Sequence, residues 1–211
     1  MKLLNLNHSP YATRIRMQIR HKELPVELVA PDVPLRTPEF LARYPLGKVP
    51  VLVLDDGRSV GESVAIMRYL EAAFPEPSLL PANPEQVAFD CMLAGYADSH
   101  LAPALFPLFG AMLGRGSVDT AAQLAEVEGQ LKKLENLLAQ WQVGDARLTV
   151  GSICLSTVIA FTLEICGRLE RPAVLEGLPH SERWWQSLQS IPVVEMTLDE
   201  MFSALQAFLQ K

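Results

Sequence analysis

The spacing of apolar positions changes once along this chain. Up to about residue 74, short apolar runs of strand length alternate with helical patterns, and beyond residue 84 the spacing is helical throughout. Residues 2–7 read as a strand, 11–22 as a helix and 26–29 as a second strand. A short helix or turn is expected over 38–43, bounded by prolines. Residues 51–54 and 58–60 straddle Asp55-Asp56-Gly57, a good hairpin turn. Val64, Met67, Tyr69 and Leu70 then fall at nearly helical spacing over 63–74. The order β-α-β-α-β-β-α predicts a mixed α/β unit.

Residues 74–84 read FPEPSLLPANP, four prolines in eleven residues. Proline at that density continues neither a helix nor an inner strand, so this stretch is read as a linker. The expected organisation is a first domain over 1–76, a linker over 77–84 and an all-helical domain over 85–211. In the latter, Leu124, Val127, Leu131, Leu134 and Leu138 recur three, four, three and four apart on one helix face. Further helices are expected over 150–169, 181–190 and 194–209.

Composition narrows the picture. A chain of 211 residues that is 49% apolar suits two small domains with sizeable cores. Polar residues interrupt its apolar runs well short of the roughly 20 needed to cross a bilayer, so no membrane span is expected. The start, MKLLNLNHSP, lacks the apolar stretch of an export signal. Cys91, Cys154 and Cys166 show no CxxC or metal spacing and read as reduced, buried thiols in the cytoplasm. The formal charge of −6 argues against a general nucleic-acid binder. No repeat, low-complexity segment or metal-ligand spacing is visible.

Candidate chemistry clusters in the first unit. Ser9-Pro10 lies between the first strand and the first helix, where serine as N-cap and proline at the first helical position are a common structural pair. The same geometry offers amides and a dipole end that favour an anion, and a hydroxyl able to donate to it. Val49-Pro50 opens a strand where the missing ladder donor leaves an edge or a turn, and an extended peptide can pair with backbone there. Ser63 opens a helix, by default as its N-cap, and makes a ready site for a carboxylate, with Glu62 beside it for an ammonium. Lys48, otherwise a solvated surface lysine, could meet a second carboxylate.

SPYATRIR at residues 9–16 resembles the SPF-x-x-R-V-R segment of serine-type glutathione transferases, as in the tau class and many bacterial members. GKVPVL at 47–52 and GES at 61–63 are similar to that family's glutathione-binding strand and γ-glutamyl site. RWWQSLQSIPVVEMT at 183–197 resembles its penultimate helix and turn. The resemblance implies a thioredoxin-like domain (βαβαββα) followed by an all-helical domain, with a cis proline at Pro50. It implies that Ser9 stabilises the glutathione thiolate and that the Val49 backbone holds the cysteinyl unit. Glu62 and Ser63 would hold the γ-glutamyl end, and Lys48 would lie near the glycine carboxylate. Tyr11, Tyr96 and His100 are candidates for the wall of an electrophile pocket. Asp98 is a candidate to reach the partner subunit's glutathione in a homodimer.

The function so implied is a cytoplasmic detoxifying transferase that adds glutathione, a co-substrate, to a small apolar electrophile, with no permanently bound cofactor. Glutathione-dependent isomerisation or dehalogenation are close variants, and a noncatalytic ligand-binding protein of the same fold is the alternative. Two departures from the family pattern stand out. The capping box Ser/Thr-x-x-Asp has become Thr149-Val150-Gly151-Ser152, so the cap is expected to lack charge and to be weaker by some tenths of a kcal/mol. No cysteine accompanies Ser9, which weighs against mixed-disulfide chemistry.

Overall fold

The computed structural model describes residues 1–210. They form two compact units, one comprising residues 1–79 together with the chain from Met196 on, the other Leu80–Glu195. The first unit contains β1 (Lys2–Leu4), α1 (Pro10–His21), β2 (Glu27–Val29), α2 (Pro38–Arg43), β3 (Val51–Val53), β4 (Ser59–Val60) and α3 (Ser63–Ala73). Its sheet has the order β2-β1-β3-β4, with β1 parallel to β2 and antiparallel to β3. This is the fold expected from the alternating pattern.

Side chains alternate across this sheet. Leu4 and Val51, paired in register, pack with Phe40 of α2 on one face. Leu3 and Leu52, also paired, are fully buried on the other. The first strand is shorter than expected: Asn5 N–H still donates to Val29 O at 2.9 Å, but its side chain turns to Asn7 and Arg16 and the pairing ends there. The hairpin turn forms as read: Leu54 N–H donates to Arg58 O at 2.8 Å, and Gly57 takes the left-handed φ of 86°.

Helix α1 is buried all along Ala12–Ile19, including Thr13, Arg14, Arg16 and Gln18. A helix buried on every side must find partners for its polar groups inside the protein. Lys22 at its end donates to the carbonyls of Phe74 at 2.8 Å and Pro77 at 2.6 Å, and pairs with Glu71 of α3 at 3.1 Å. Glu71 in turn accepts from Leu79 N–H at 2.9 Å. This buried pair fastens the proline-rich stretch to the first unit.

The helical unit holds α4 (Pro84–Tyr96), a π turn (Ala97–Leu101), α5 (Ala102–Met112), α6 (Thr120–Gln140), α7 (Val150–Arg168) and α8 (Pro179–Gln189). Pro103 has no N–H to give the Ser99 carbonyl, and at the π turn Ala102 N–H donates to Ala97 O instead. The heptad-like leucine stripe of α6 is buried, as its spacing predicts. Helix α7 is long and apolar enough to span a membrane by composition, yet most of it is buried inside the protein. The last helix, α9 (Pro192–Leu209), begins in this unit and continues in the first. The sequence reading placed all of it in the helical domain; Arg16 and Arg20 of α1, which pair with Glu200 at 3.2 and 2.7 Å, draw its later turns to the first unit.

Two further expectations change. Cys154 and Cys166 are buried, but Cys91 is exposed, because its position on α4 turns away from the helical core. Burial pushes the Cys166 thiol up to about 11, with Glu128 adding to the effect. The α7 capping box does form: Thr149 Oγ1 accepts from Ser152 N–H at 3.2 Å, and Ser152 Oγ accepts from Thr149 N–H at 2.8 Å. Its charge is not missing but comes from elsewhere, since the Asp90 carboxylate of α4 accepts from Gly151 N–H at 2.8 Å.

A second carboxylate crosses between helices at α8. Glu135 of α6 accepts from the amides of His180 at 3.0 Å and Ser181 at 2.8 Å, and from the Ser181 hydroxyl at 2.8 Å. Burial alone would raise this carboxyl, but the two amides and the hydroxyl outweigh it and hold it below its ordinary value. A carboxylate whose folded value is depressed stabilises fully above its unfolded value and loses that contribution as pH falls through the folded value. Glu135→Gln is therefore expected to cost about 1 kcal/mol at neutral pH, a figure held down by solvent access. The gap from the parent protein should close as pH drops below about 4.3, the unfolded glutamate value. Denaturant melts at neutral pH and at acid pH check this; a gap independent of pH would remove the carboxylate charge from the account.

Candidate active site

Strand pairing brings the candidate residues to one end of the sheet. Leu4 at the end of β1 faces Val51 at the start of β3, and Val60 at the end of β4 faces Leu52. The segments after β1, before β3 and after β4 therefore leave the sheet at the same end. They carry Ser9, Lys48 with Val49, and Glu62 with Ser63.

Ser9 is half-buried and is the N-cap of α1. Its backbone is held on both sides: its N–H donates to Leu6 O at 2.9 Å, and its carbonyl accepts from Thr13 N–H at 3.0 Å and Thr13 Oγ1 at 2.8 Å. Its Oγ accepts from Ala12 N–H at 3.3 Å, a long bond for a cap. No described residue accepts its hydroxyl hydrogen, which leaves that hydrogen to donate to an anion beside the helix N-terminus.

The Val49–Pro50 bond is cis, Val49 is half-buried and Pro50 is buried. Neither the N–H nor the carbonyl of Val49 hydrogen-bonds another described backbone group, because the ladder begins at Val51. An added extended segment would need two such groups without backbone partners. Lys48 beside it is exposed.

The start of α3 differs from the expected serine cap. The N-cap is Glu62, at φ 63° and ψ 118°, and it makes no side-chain cap. A non-glycine residue in that region costs on the order of 1–3 kcal/mol and is often found where a ligand is held. Ser63 is the first helical residue, 6% exposed, and its Oγ accepts from Arg14 Nη1 at 3.1 Å. With the arginine as donor to its oxygen, the serine hydrogen points elsewhere.

Arg14 was missed in the sequence reading. Its guanidinium is buried and also lies 4.7 Å from the centre of the Tyr11 ring, so it links the proposed carboxylate site to a proposed pocket wall. The available signal was the pair of arginines at 14 and 16, two positions apart and so on different faces of one helix.

Tyr11 belongs to the first unit, and Tyr96, Asp98 and His100 to the second. The rings of Tyr96 and His100 stack 5.0 Å apart. Both line a cavity of about 620 Å³ in the helical unit, together with Met92, Gly95, Lys133 and Leu137. The Tyr96 hydroxyl is committed to α6, donating to Gln130 O at 2.6 Å with Gln130 Oε1 3.0 Å away. Burial, helped by Glu126, pushes this phenol up to about 12, so Tyr96 serves the cavity as an apolar wall. Asp98 is half-buried on the π turn, and His100 is exposed. Among the described residues no cluster of His, Cys, Asp and Glu could hold a metal ion.

Comparison with known proteins bears on this arrangement. Residues 3–78 match the family model of the glutathione S-transferase N-terminal domain. A probable glutathione S-transferase of Oryza sativa subsp. japonica is 32% identical over 150 residues, which is 68% of this chain but 62% of that relative, a little under two thirds of its length. A second, from Zea mays, is 28% identical over 228 residues, covering 100% of this chain and 96% of the relative. A glutathione S-transferase from Methylobacterium radiotolerans, solved in complex with glutathione sulfonate, is 29% identical, covers 93% of each chain and superimposes with a TM-score of 0.69. The matching N-terminal domain, the full-length relative and the shared fold lead to one conclusion: the chain belongs to the glutathione transferase family.

Proposed function

We propose that this protein is a glutathione transferase that ionises the glutathione thiol at Ser9 and adds it to a small apolar electrophile, acting as a cytoplasmic homodimer. The observation that carries the reading is the Ser9 hydroxyl, half-buried at a helix N-terminus with its hydrogen taken by no described residue. Val49 and Ser63 support it, since they lie in segments that leave the same end of the sheet.

In this reading the Ser9 hydroxyl donates to the sulfur, and the α1 amides add the helix-end field. The cysteinyl backbone pairs with the N–H and carbonyl of Val49. The γ-glutamyl carboxylate takes the Ser63 hydroxyl and the α3 amides, the ammonium meets Glu62, and Lys48 answers the glycine carboxylate. The thiol proton passes to bulk water, the thiolate lone pair forms the C–S bond, and the leaving group departs with the electron pair of the bond that breaks. Ionisation and proximity supply most of the rate.

Ser63→Ala is expected to weaken glutathione binding about tenfold, the loss of one hydrogen bond to a charged group. Calorimetric titration with the tripeptide reads this directly, and an unchanged Kd would remove Ser63 from the carboxylate site. Turnover is tested with a panel of aromatic halides and other electrophiles. Tight glutathione binding without turnover on any of them would favour the noncatalytic alternative.

A further inference from the structure

The contacts that hold the Ser9 loop come partly from the far end of the chain. Arg16 has a fully buried side chain in α1. Its Nη1 donates to Asn5 Oδ1 at 2.6 Å, and its Nη2 to the Asn7 carbonyl at 2.9 Å and to Thr13 Oγ1 at 3.0 Å. Thr13 passes its own hydroxyl hydrogen to the Ser9 carbonyl at 2.8 Å. One cation thus grips the loop before Ser9 directly and at Ser9 through a single intermediary.

Helix α9 closes this arrangement from outside. Glu200 Oε2 accepts from Arg16 Nε at 3.2 Å, and Glu200 Oε1 accepts from Asn7 Nδ2 at 3.3 Å. The Phe208 ring stacks on His8, the residue before Ser9, with centroids 4.1 Å apart. Arg20 steadies α9 in turn, reaching Glu200 at 2.7 Å and Thr197 Oγ1 at 3.1 Å. A buried guanidinium stripped of its counter-charge is costly, so the carboxylate keeps Arg16 where the loop needs it. A hydrogen bond to a reacting sulfur tolerates little displacement, and that makes the support of the loop a functional matter.

We propose that α9 braces the Ser9 loop, with Glu200 and Thr13 as positioning residues that act through Arg16 and the Ser9 carbonyl to aim the Ser9 hydroxyl at the sulfur. The inference rests on the reading of Ser9 as the thiolate's donor. Its distinctive consequence is that changes outside the ligand site alter ionisation of the bound thiol, not only stability.

The test uses the full chain carrying Glu200→Gln, Thr13→Val or Thr13→Ser, with Ser9→Ala in parallel. Ultraviolet titration of the thiolate in the glutathione complex is combined with kcat and KM on an aromatic halide and with thermal melts. Glu200→Gln and Thr13→Val are expected to raise the bound thiol's pKa by about one unit and to lower kcat about threefold near pH 7 and about eightfold near pH 6. KM for glutathione should stay within about twofold, and Thr13→Ser, which keeps the hydroxyl, should behave as the parent. Lower melting temperatures with an unmoved thiol would overturn the proposal and leave a structural tie only. If Glu200→Gln fails to fold, Thr13→Val decides alone. Should Ser9→Ala shift the thiol while the brace variants do not, the brace falls and the serine reading stands. Should Ser9→Ala leave the thiol in place, both fall.

Discussion

Ser9→Ala is expected to cut turnover roughly eightfold near pH 7 and roughly 25-fold near pH 6, while glutathione affinity stays within about threefold. The magnitude follows from what the thiol requires. A free cysteine thiol titrates near 8.5, and lowering it by about two units takes roughly 2.7 kcal/mol. A hydrogen bond to a charged group contributes about 1.5–3 kcal/mol, and a helix end about 0.3–1 kcal/mol. The hydroxyl therefore carries most of the shift, and its loss should raise the thiol by about 1.5 units. Below that value the thiolate fraction falls in proportion, whereas above about pH 9 the thiol ionises unaided and the deficit should close. A pH series of kcat/KM reads both limbs. Ser9 is also the α1 N-cap, and losing that cap costs on the order of 1 kcal/mol of stability, which a parallel melt separates from the kinetic effect. Equal turnover of the variant across the whole series would take Ser9 out of the mechanism.

The second large effect is expected at Gly151. Helix propensity alone would have Gly151→Ala stabilise the protein by about 1 kcal/mol. Packing predicts the opposite sign. A Cβ at this position would overlap the Asp90 carbonyl and lie 2.5 Å from Asp90 Oδ1, so α4 would have to move away from the start of α7. Overpacking of this kind costs about 1–3 kcal/mol, and the displaced bond from Gly151 N–H to the buried carboxylate adds about 1.5–3 kcal/mol. The sum exceeds the propensity gain by a few kcal/mol, which for a protein of this size lowers Tm by roughly 10 °C. Asp90→Asn keeps an acceptor while removing the charge and should cost about 1 kcal/mol. Melting curves of the two variants, with the parent as reference, check the account. A Tm for Gly151→Ala at or above the parent's would show that the helices part at little cost.

These two sites differ in how far the sequence revealed them. Ser9-Pro10 was legible because a cap and a first-turn proline are neighbours in the chain, and the helix they open follows at once. The hairpin at Asp55-Asp56-Gly57 and the leucine stripe of α6 were legible for the same reason: turn residues and apolar spacing act over a few positions. Ser63 misled, since a serine at a helix start reads as a cap. Here the left-handed Glu62 takes the cap position, and the serine hydroxyl goes to Arg14, 49 residues away. The family resemblance pointed to the Thr149 box as weakened, and only the neighbouring helix revealed that Asp90 supplies the charge.

By itself the sequence determined the order of elements, the proline-rich break between the alternating and helical parts, and the residues that open each candidate site. Those features depend on backbone geometry and side-chain period within single segments, where local chemistry dominates. Tertiary structure alone decided which charges meet: Arg16 with Glu200 across 184 positions, and Asp90 with Gly151 across 61. Such partners are chosen by burial. A buried cation or helix end must be answered by whatever packing brings near, and nothing in the spacing of residues along the chain records which group that is.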